Sequence, residues 1–116
     1  MKKSIIILIL VLFCLSGVVS ATEDEVYSLA CIIAGEMGDE PFVVRVAYGE
    51  MLINSGSMVG KRRNTPNRSD IRAAAASMCN CGFSGGATNV KLWKKVENTP
   101  LEMRSGVRLY DWFFYI

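Results

Sequence analysis

Three carboxylates crowd the stretch "AGEMGDEPF": Glu36, Asp39 and Glu40, set among small and apolar residues and stopped by Pro41. A fourth, Glu50, follows in a largely apolar segment. A carboxyl held against apolar surface loses hydration of its charged form, its pKa rises, and it can then donate a proton near neutral pH. Glu36 has the neighbours for that role. Ile32 and Ile33 lie one helical turn back, and Gly35 and Gly38 leave the backbone open to a bulky substrate. Asp39 and Glu40 suit caps of a following helix. Glu50 is the competing second carboxylate, and its place in an apolar segment equally suits a buried structural acid bonded to backbone or to Asn54 at i+4.

Positioning these acids takes helices. Thr22 followed by Glu23, Asp24 and Glu25 supplies a cap and an acidic first turn suited to the positive end of a helix dipole. Val26, Leu29, Ala30 and Ile33 recur at helical spacing, and Cys31, Ile32 and Ala34 widen the apolar stripe until the helix reads as a central, buried one that weakens at Gly35 and ends at Gly38. A second helix is expected from Pro41, at its first position, to about Ile53, ended by "NSGS". The polar stretch "GKRRNTPNRS" is the densest in positive charge and reads as a solvated loop, or as one that touches an anionic polymer. Ser69 and Asp70 are expected to cap a third helix, "DIRAAAASMC", whose four alanines permit close approach of a neighbour. After Gly85 and Gly86 the segments "ATNVKLW" and "GVRLYDWFFYI" read as two strands, rich in β-branched and aromatic residues.

The first 21 residues follow a different logic. Met1-Lys2-Lys3, an apolar run and the small residues Val19-Ser20-Ala21 read as a secretory signal, the run being short for a membrane span of roughly 20 residues. Residues 22–116 then form one domain with a single modest core. They carry eleven basic and eleven acidic residues, since Lys2 and Lys3 are two of the thirteen basic residues in the chain. A neutral domain gives no argument for nucleic-acid binding or for electrostatic attachment to a membrane. Its cysteines are Cys31, Cys79 and Cys81, and a disulfide from Cys31 to Cys79 or Cys81 is open to it. With no histidine and three thiols, the ligand count falls short of a closed zinc site, and no metal or other cofactor is expected.

The segment "GEMGDEPFVVRVAYGEMLINS" resembles the signature of the SleB-type cell-wall hydrolases, the spore-cortex-lytic family, which reads A-E-A-R-G-E-P followed by a helix carrying V-A and closing on N-R. Glu36 falls on that family's catalytic glutamate, Glu40 and Pro41 on its Glu-Pro, Val46 and Ala47 on its Val-Ala, and Asn54 on its asparagine. "GFSGGATNVKLW" is similar to its D-P-T-G-G-A-L-Y-F-Y segment and "RSGVRLYDWFFY" to its closing strand, so the resemblance spans most of residues 26–116. Gly35 and Gly38 stand where the family has alanine and often arginine, Ser55 replaces the arginine after the asparagine, and Asn89-Val90-Lys91 replace its Y-F-Y.

The resemblance implies a small lysozyme-like α+β domain, about three helices packed with an antiparallel sheet at the C-terminal end. It implies cleavage of the bond between N-acetylmuramic acid and N-acetylglucosamine in peptidoglycan glycan strands. The signal segment adds the expectation of a monomer exported to the cell wall, with no stable membrane anchor once the signal is removed. Two-carboxylate glycosidases set an acid opposite a base or nucleophile. A lytic transglycosylase can use one glutamate, first as acid and then as base to the muramic 6-hydroxyl, and Glu36 is the residue for both steps. Tyr48, Glu50, Asn54, Trp93 and Trp112 are the candidates for contact with substrate. The alternative reading is a relative that binds peptidoglycan, or regulates, without turnover.

Overall fold

Thr22 accepts a hydrogen bond on its hydroxyl from the Glu25 amide, which caps helix α1, Glu23–Met37. The computed structural model describes residues 22–97 and 105–116; the expected signal, 1–21, lies outside the described residues. Helix α2 runs Phe42–Ser55 and helix α3 Arg68–Cys79. Strand β1, Asn89–Leu92, leads into a short 3-10 turn, Trp93–Lys95, and β2, Gly106–Leu109, and β3, Trp112–Tyr115, complete the sheet. The α+β expectation therefore holds, with three helices and a small antiparallel sheet at the C-terminal end among the described residues. No helix among the described residues is long and apolar enough to cross a membrane.

The core forms where the helices meet. Leu29, Ala30, Ile32 and Ile33 of α1 and Val44, Val46 and Ala47 of α2 are fully enclosed, and each larger aliphatic side chain removed from water contributes roughly 1.5–3 kcal/mol. Helix α3 lies against both α1 and α2, and small residues allow it. Ala73 and Ala74 are buried, and a Cβ on Gly49 would stand 2.6 Å from the Ser77 Cβ. Ser77 in turn sets its buried hydroxyl 2.9 Å from the Val46 carbonyl and 2.8 Å from that of Ala73, so its single proton serves both helices.

Two helix starts differ from expectation. Pro41 occupies the cap position of α2, not its first turn, and no side chain caps that end, so Asp39 and Glu40 are not caps. The Glu40 carbonyl instead accepts from Arg45 Nε at 3.1 Å. Helix α3 starts earlier than Ser69. Asn67 is its cap, accepting from the Asp70 amide at 2.8 Å while Asp70 accepts from the Asn67 amide at 3.1 Å, a reciprocal capping box. Asp70 is fully buried and also pairs with Arg45 of α2 at 3.0 Å, so one side chain fixes both the start of α3 and its seat on α2.

The C-terminal segment that reads as one strand is a hairpin. Tyr110 turns it with a φ of 57°, a left-handed backbone uncommon for a bulky residue, and β3 then pairs with both β2 and β1 in the order β1-β3-β2. Leu92 and Leu109 both stand opposite Trp112, and Val90 and Val107 both opposite Phe114. That register sends Phe114, Trp112, Val90 and Leu109 to the helical core, and Phe113 and Tyr115 to the other face.

Candidate active site

Glu36 sits in the last turn of α1, and its carboxylate is exposed. The chain that follows α2 returns as a strap along α1. The Lys61 amide donates to Glu36 Oε1, the Arg63 amide donates to the Cys31 carbonyl at 2.9 Å, and Arg62 Nη1 donates to Ser28 Oγ at 3.0 Å. Tyr27 closes the far end by donating its hydroxyl to the Asn64 carbonyl at 3.1 Å. Four positions of α1, from Tyr27 to Glu36, thus hold the four consecutive strap residues 61–64.

Two glycines make this contact possible. A Cβ on Gly35 would run into the Lys61 carbonyl, with the Lys61 carbonyl carbon at 2.6 Å and the Arg62 carbonyl carbon at 3.0 Å. A Cβ on Gly60 would stand 2.9 Å from Ile32 Cγ2 and 3.3 Å from Glu36 Cγ. The space beside Gly35 is therefore filled by the protein's own backbone and is not open to a substrate. The space beside Gly38 is taken likewise, by the Ala34 carbonyl. Ile32 and Gly60 flank the aliphatic stem of Glu36, whereas Ile33 turns inward toward Gly49. The stem has apolar cover and the carboxylate has water, a split that the sequence does not reveal.

Tyr48 of α2 comes close to the same acid. It is buried, and its hydroxyl is pushed up to about 12 from an ordinary value of 10, first by burial and then by the negative charge of Glu36. The hydroxyl therefore stays protonated through the whole physiological range. Among the predicted site residues, Tyr48 is the one whose hydroxyl feels the charge of Glu36.

Glu50 and Asn54 serve a different place. Glu50 is fully buried, with its two oxygens accepting from the Gly82 amide at 3.1 Å and the Ser84 amide at 2.9 Å. Asn54, one turn further, donates to the Ala87 carbonyl at 3.1 Å and accepts from the Asn80 side chain at 3.0 Å. Together they hold the 80–87 loop, whose left-handed Asn80, Gly82, Gly85 and Gly86 give it a path that needs such anchors. Trp112 packs its ring on the core, and its indole Nε1 is buried with no partner among the described residues. Trp93 lies on the opposite face, 5.6 Å from the Phe113 ring and with the Arg108 guanidinium 4.5 Å above its own. It lines a polar cavity of about 360 Å³ with Lys94, Arg108 and Asp111.

The cysteine pairing expected as an option is absent. Cys31, Cys79 and Cys81 are all free thiols, because Cys31 is enclosed between α1 and the strap while Cys79 and Cys81 are exposed at the end of α3. Sequence reasoning passed over the strap backbone, which supplies the hydrogen-bond partner of the Glu36 carboxylate among the described residues. The signal for it lay in Gly35 and Gly60, each flanking the acid or its partner, since paired glycines mark a close backbone approach. The chain was compared with family models, curated proteins and solved structures, and none matches it.

Proposed function

We propose that the protein is an exported peptidoglycan-cleaving enzyme, of lytic transglycosylase or muramidase type, in which Glu36 is the acid and then the base. The observation that carries this reading is the setting of Glu36: an exposed carboxylate at the end of a buried helix, aimed by the Lys61 amide and bordered by the neutral Tyr48 hydroxyl. A glycan strand laid over it supplies the water exclusion that the free protein lacks, and desolvation then favours the protonated acid. Glu36 gives its proton to the glycosidic oxygen as the bond to the muramic C1 breaks. The same carboxylate then takes the proton of the muramic 6-hydroxyl as that oxygen bonds C1, which closes a 1,6-anhydro ring and restores the acid. The resemblance of residues 35–55 to the cell-wall hydrolase signature supports the same residue. Glu50 has both oxygens occupied by backbone amides, which favours a one-glutamate route over a pair of carboxylates.

One observation favours a second reading, a peptidoglycan-binding module without turnover. The Lys61 amide gives Glu36 a structural task as anchor of the strap, and an anchor needs no chemistry. Incubating the protein and its Glu36→Gln variant with purified peptidoglycan, followed by mass spectrometry of soluble fragments, separates the two. Fragments with 1,6-anhydro ends from the parent alone support the enzyme. Reducing muramic ends from the parent alone keep Glu36 as the acid but assign hydrolysis. Binding with no release by either protein supports the module.

A further inference from the structure

We propose that the cavity between the strap and the first half of α1 binds a carboxylate of an acidic peptide, the stem carried by the muramic acid of the strand being cut; this rests on the reading of Glu36 just given. The cavity encloses about 340 Å³, which is within the range of small-ligand sites. Arg62 and Arg63 form one wall, and Tyr27, Ser28 and Cys31 of α1 another. Asp24 is the one acid among its lining residues, so two guanidiniums against one carboxylate leave it positive in a domain that carries no net charge.

The arginines are placed, not merely present. Arg62 is tethered by Ser28, and the Arg63 backbone is tied to the Cys31 carbonyl, so the segment that carries both heads lies fixed along the helix. A guanidinium has five N–H donors in a planar fork suited to a carboxylate, and the bond from Arg62 Nη1 to Ser28 leaves the others for a ligand. The register decides what the ligand is. Lys61, whose amide holds Glu36, is followed directly by Arg62 and Arg63, and consecutive Cα atoms are about 3.8 Å apart. Cys31 and Ser28, the cavity's nearest helix residues, precede Glu36 by five and eight positions, about 8 and 12 Å along the helix at about 1.5 Å per residue. A carboxylate there thus lies within reach of a peptide branching from the muramic ring, and not on the bond that breaks. A neutral sugar polymer without peptides offers this cavity nothing to bind.

The test measures binding to the full Glu36→Gln chain, whose amide oxygen still accepts from Lys61 and which leaves the ligand uncut. Three probes are titrated by calorimetry: a disaccharide carrying an acidic peptide with free carboxylates, the same compound with every carboxylate amidated, and the disaccharide alone. The expected result is about tenfold tighter binding of the free acid than of either other probe, the scale of one charge-assisted hydrogen bond. Adding Arg62→Gln and Arg63→Gln is expected to erase that preference, and adding Arg62→Lys and Arg63→Lys to retain part of it. Equal affinity for the acid and the amide in the Glu36→Gln chain, no binding of any probe, or a preference that survives the double Gln substitution overturns the inference. The comparison of acid with amide needs no change in the cavity, so it decides even if the arginine variants do not fold. A parent protein that prefers the acid yet cuts nothing removes the enzymatic reading and keeps the inference; cutting without preference does the reverse.

Discussion

Glu36 and Glu50 each hold a loop by accepting backbone amides, and they differ in what is left over. Glu36, in the last turn of α1, receives one amide from the 57–64 strap and stays in contact with water. Glu50, in the middle of α2, receives two amides from the 80–87 loop and is sealed. A buried carboxylate is tolerated only when its oxygens are satisfied, so Glu50 has its capacity committed to the fold. An exposed one keeps lone pairs and a route for substrate. The same residue type thus anchors structure at one site and remains free for chemistry at the other, and the deciding quantity is the number of amides that reach it.

The widest separation expected between the two acids is in turnover. Glu36→Gln should lower peptidoglycan cleavage by about 10²–10⁴-fold, the usual contribution of a general acid or base, with little change in the melting temperature, because the amide oxygen still accepts from Lys61. Loss of stability in place of loss of activity would make the two acids alike. Glu50→Ala should do the opposite. It leaves the Gly82 and Ser84 amides without their acceptor and empties a buried volume, for a cost of about 3–5 kcal/mol in chemical denaturation, a large part of what a domain of this size has.

A smaller effect sharpens the account of the strap. Gly35→Ala places a methyl group on the Lys61 carbonyl. Overpacking of this kind costs about 1–3 kcal/mol, while alanine gains up to about 1 kcal/mol in helix propensity, so the net expectation is a loss of about 1–2 kcal/mol. Cleavage should fall with it, since the strap that aims Glu36 has moved. An unchanged melting curve in Gly35→Ala would mean that the strap does not rest on α1 as described.

Tyr48 gives the smallest and most local measurement. Its hydroxyl ionises near 10 when unfolded and at about 12 when folded, so the stability gained by keeping it neutral is complete below pH 10 and is lost as the pH rises toward 12. Tyrosinate absorbance, taken as the difference between the protein and Tyr48→Phe, should show that late ionisation. In Glu36→Gln the ionisation should move down but stay above 10, because burial is the larger cause and only the charge has been removed. No movement would place Glu36 and Tyr48 too far apart to share a site.

Much of the helical layer could be read directly. The Thr22 cap, the apolar stripe of α1, the stop at Gly56 and the alanines of α3 are local signals, and local capping and periodicity act within a few residues of chain. The errors lie where two local solutions compete. Pro41 can serve as cap or first residue, and Asn67 and Ser69 are both residue types that cap helices, so the reciprocal bond between Asn67 and Asp70 settled the start of α3. The split of "GVRLYDWFFYI" into two strands depended on a turn at Tyr-Asp, which is not a common turn pair, and on a positive φ that the sequence does not announce. Glu36 stood out by its type and place, and Glu50 was weighed beside it, but only burial and the amides that reach each acid distinguished them.

The sequence by itself determined that three helices precede a small sheet, that the first carries a buried apolar segment, Leu29 to Ala34, and that an acid stands at its end. Those properties follow from residue type and spacing over one or two turns. Only the tertiary structure decided that Glu36 meets the strap and lends its charge to the surroundings of Tyr48, that Glu50 and Asn54 pin the 80–87 loop, and that Arg62 and Arg63 share a cavity with α1. Each of these joins residues far apart in the chain, so each depends on which backbone groups packing brings within hydrogen-bonding reach, and that is a property of the folded molecule.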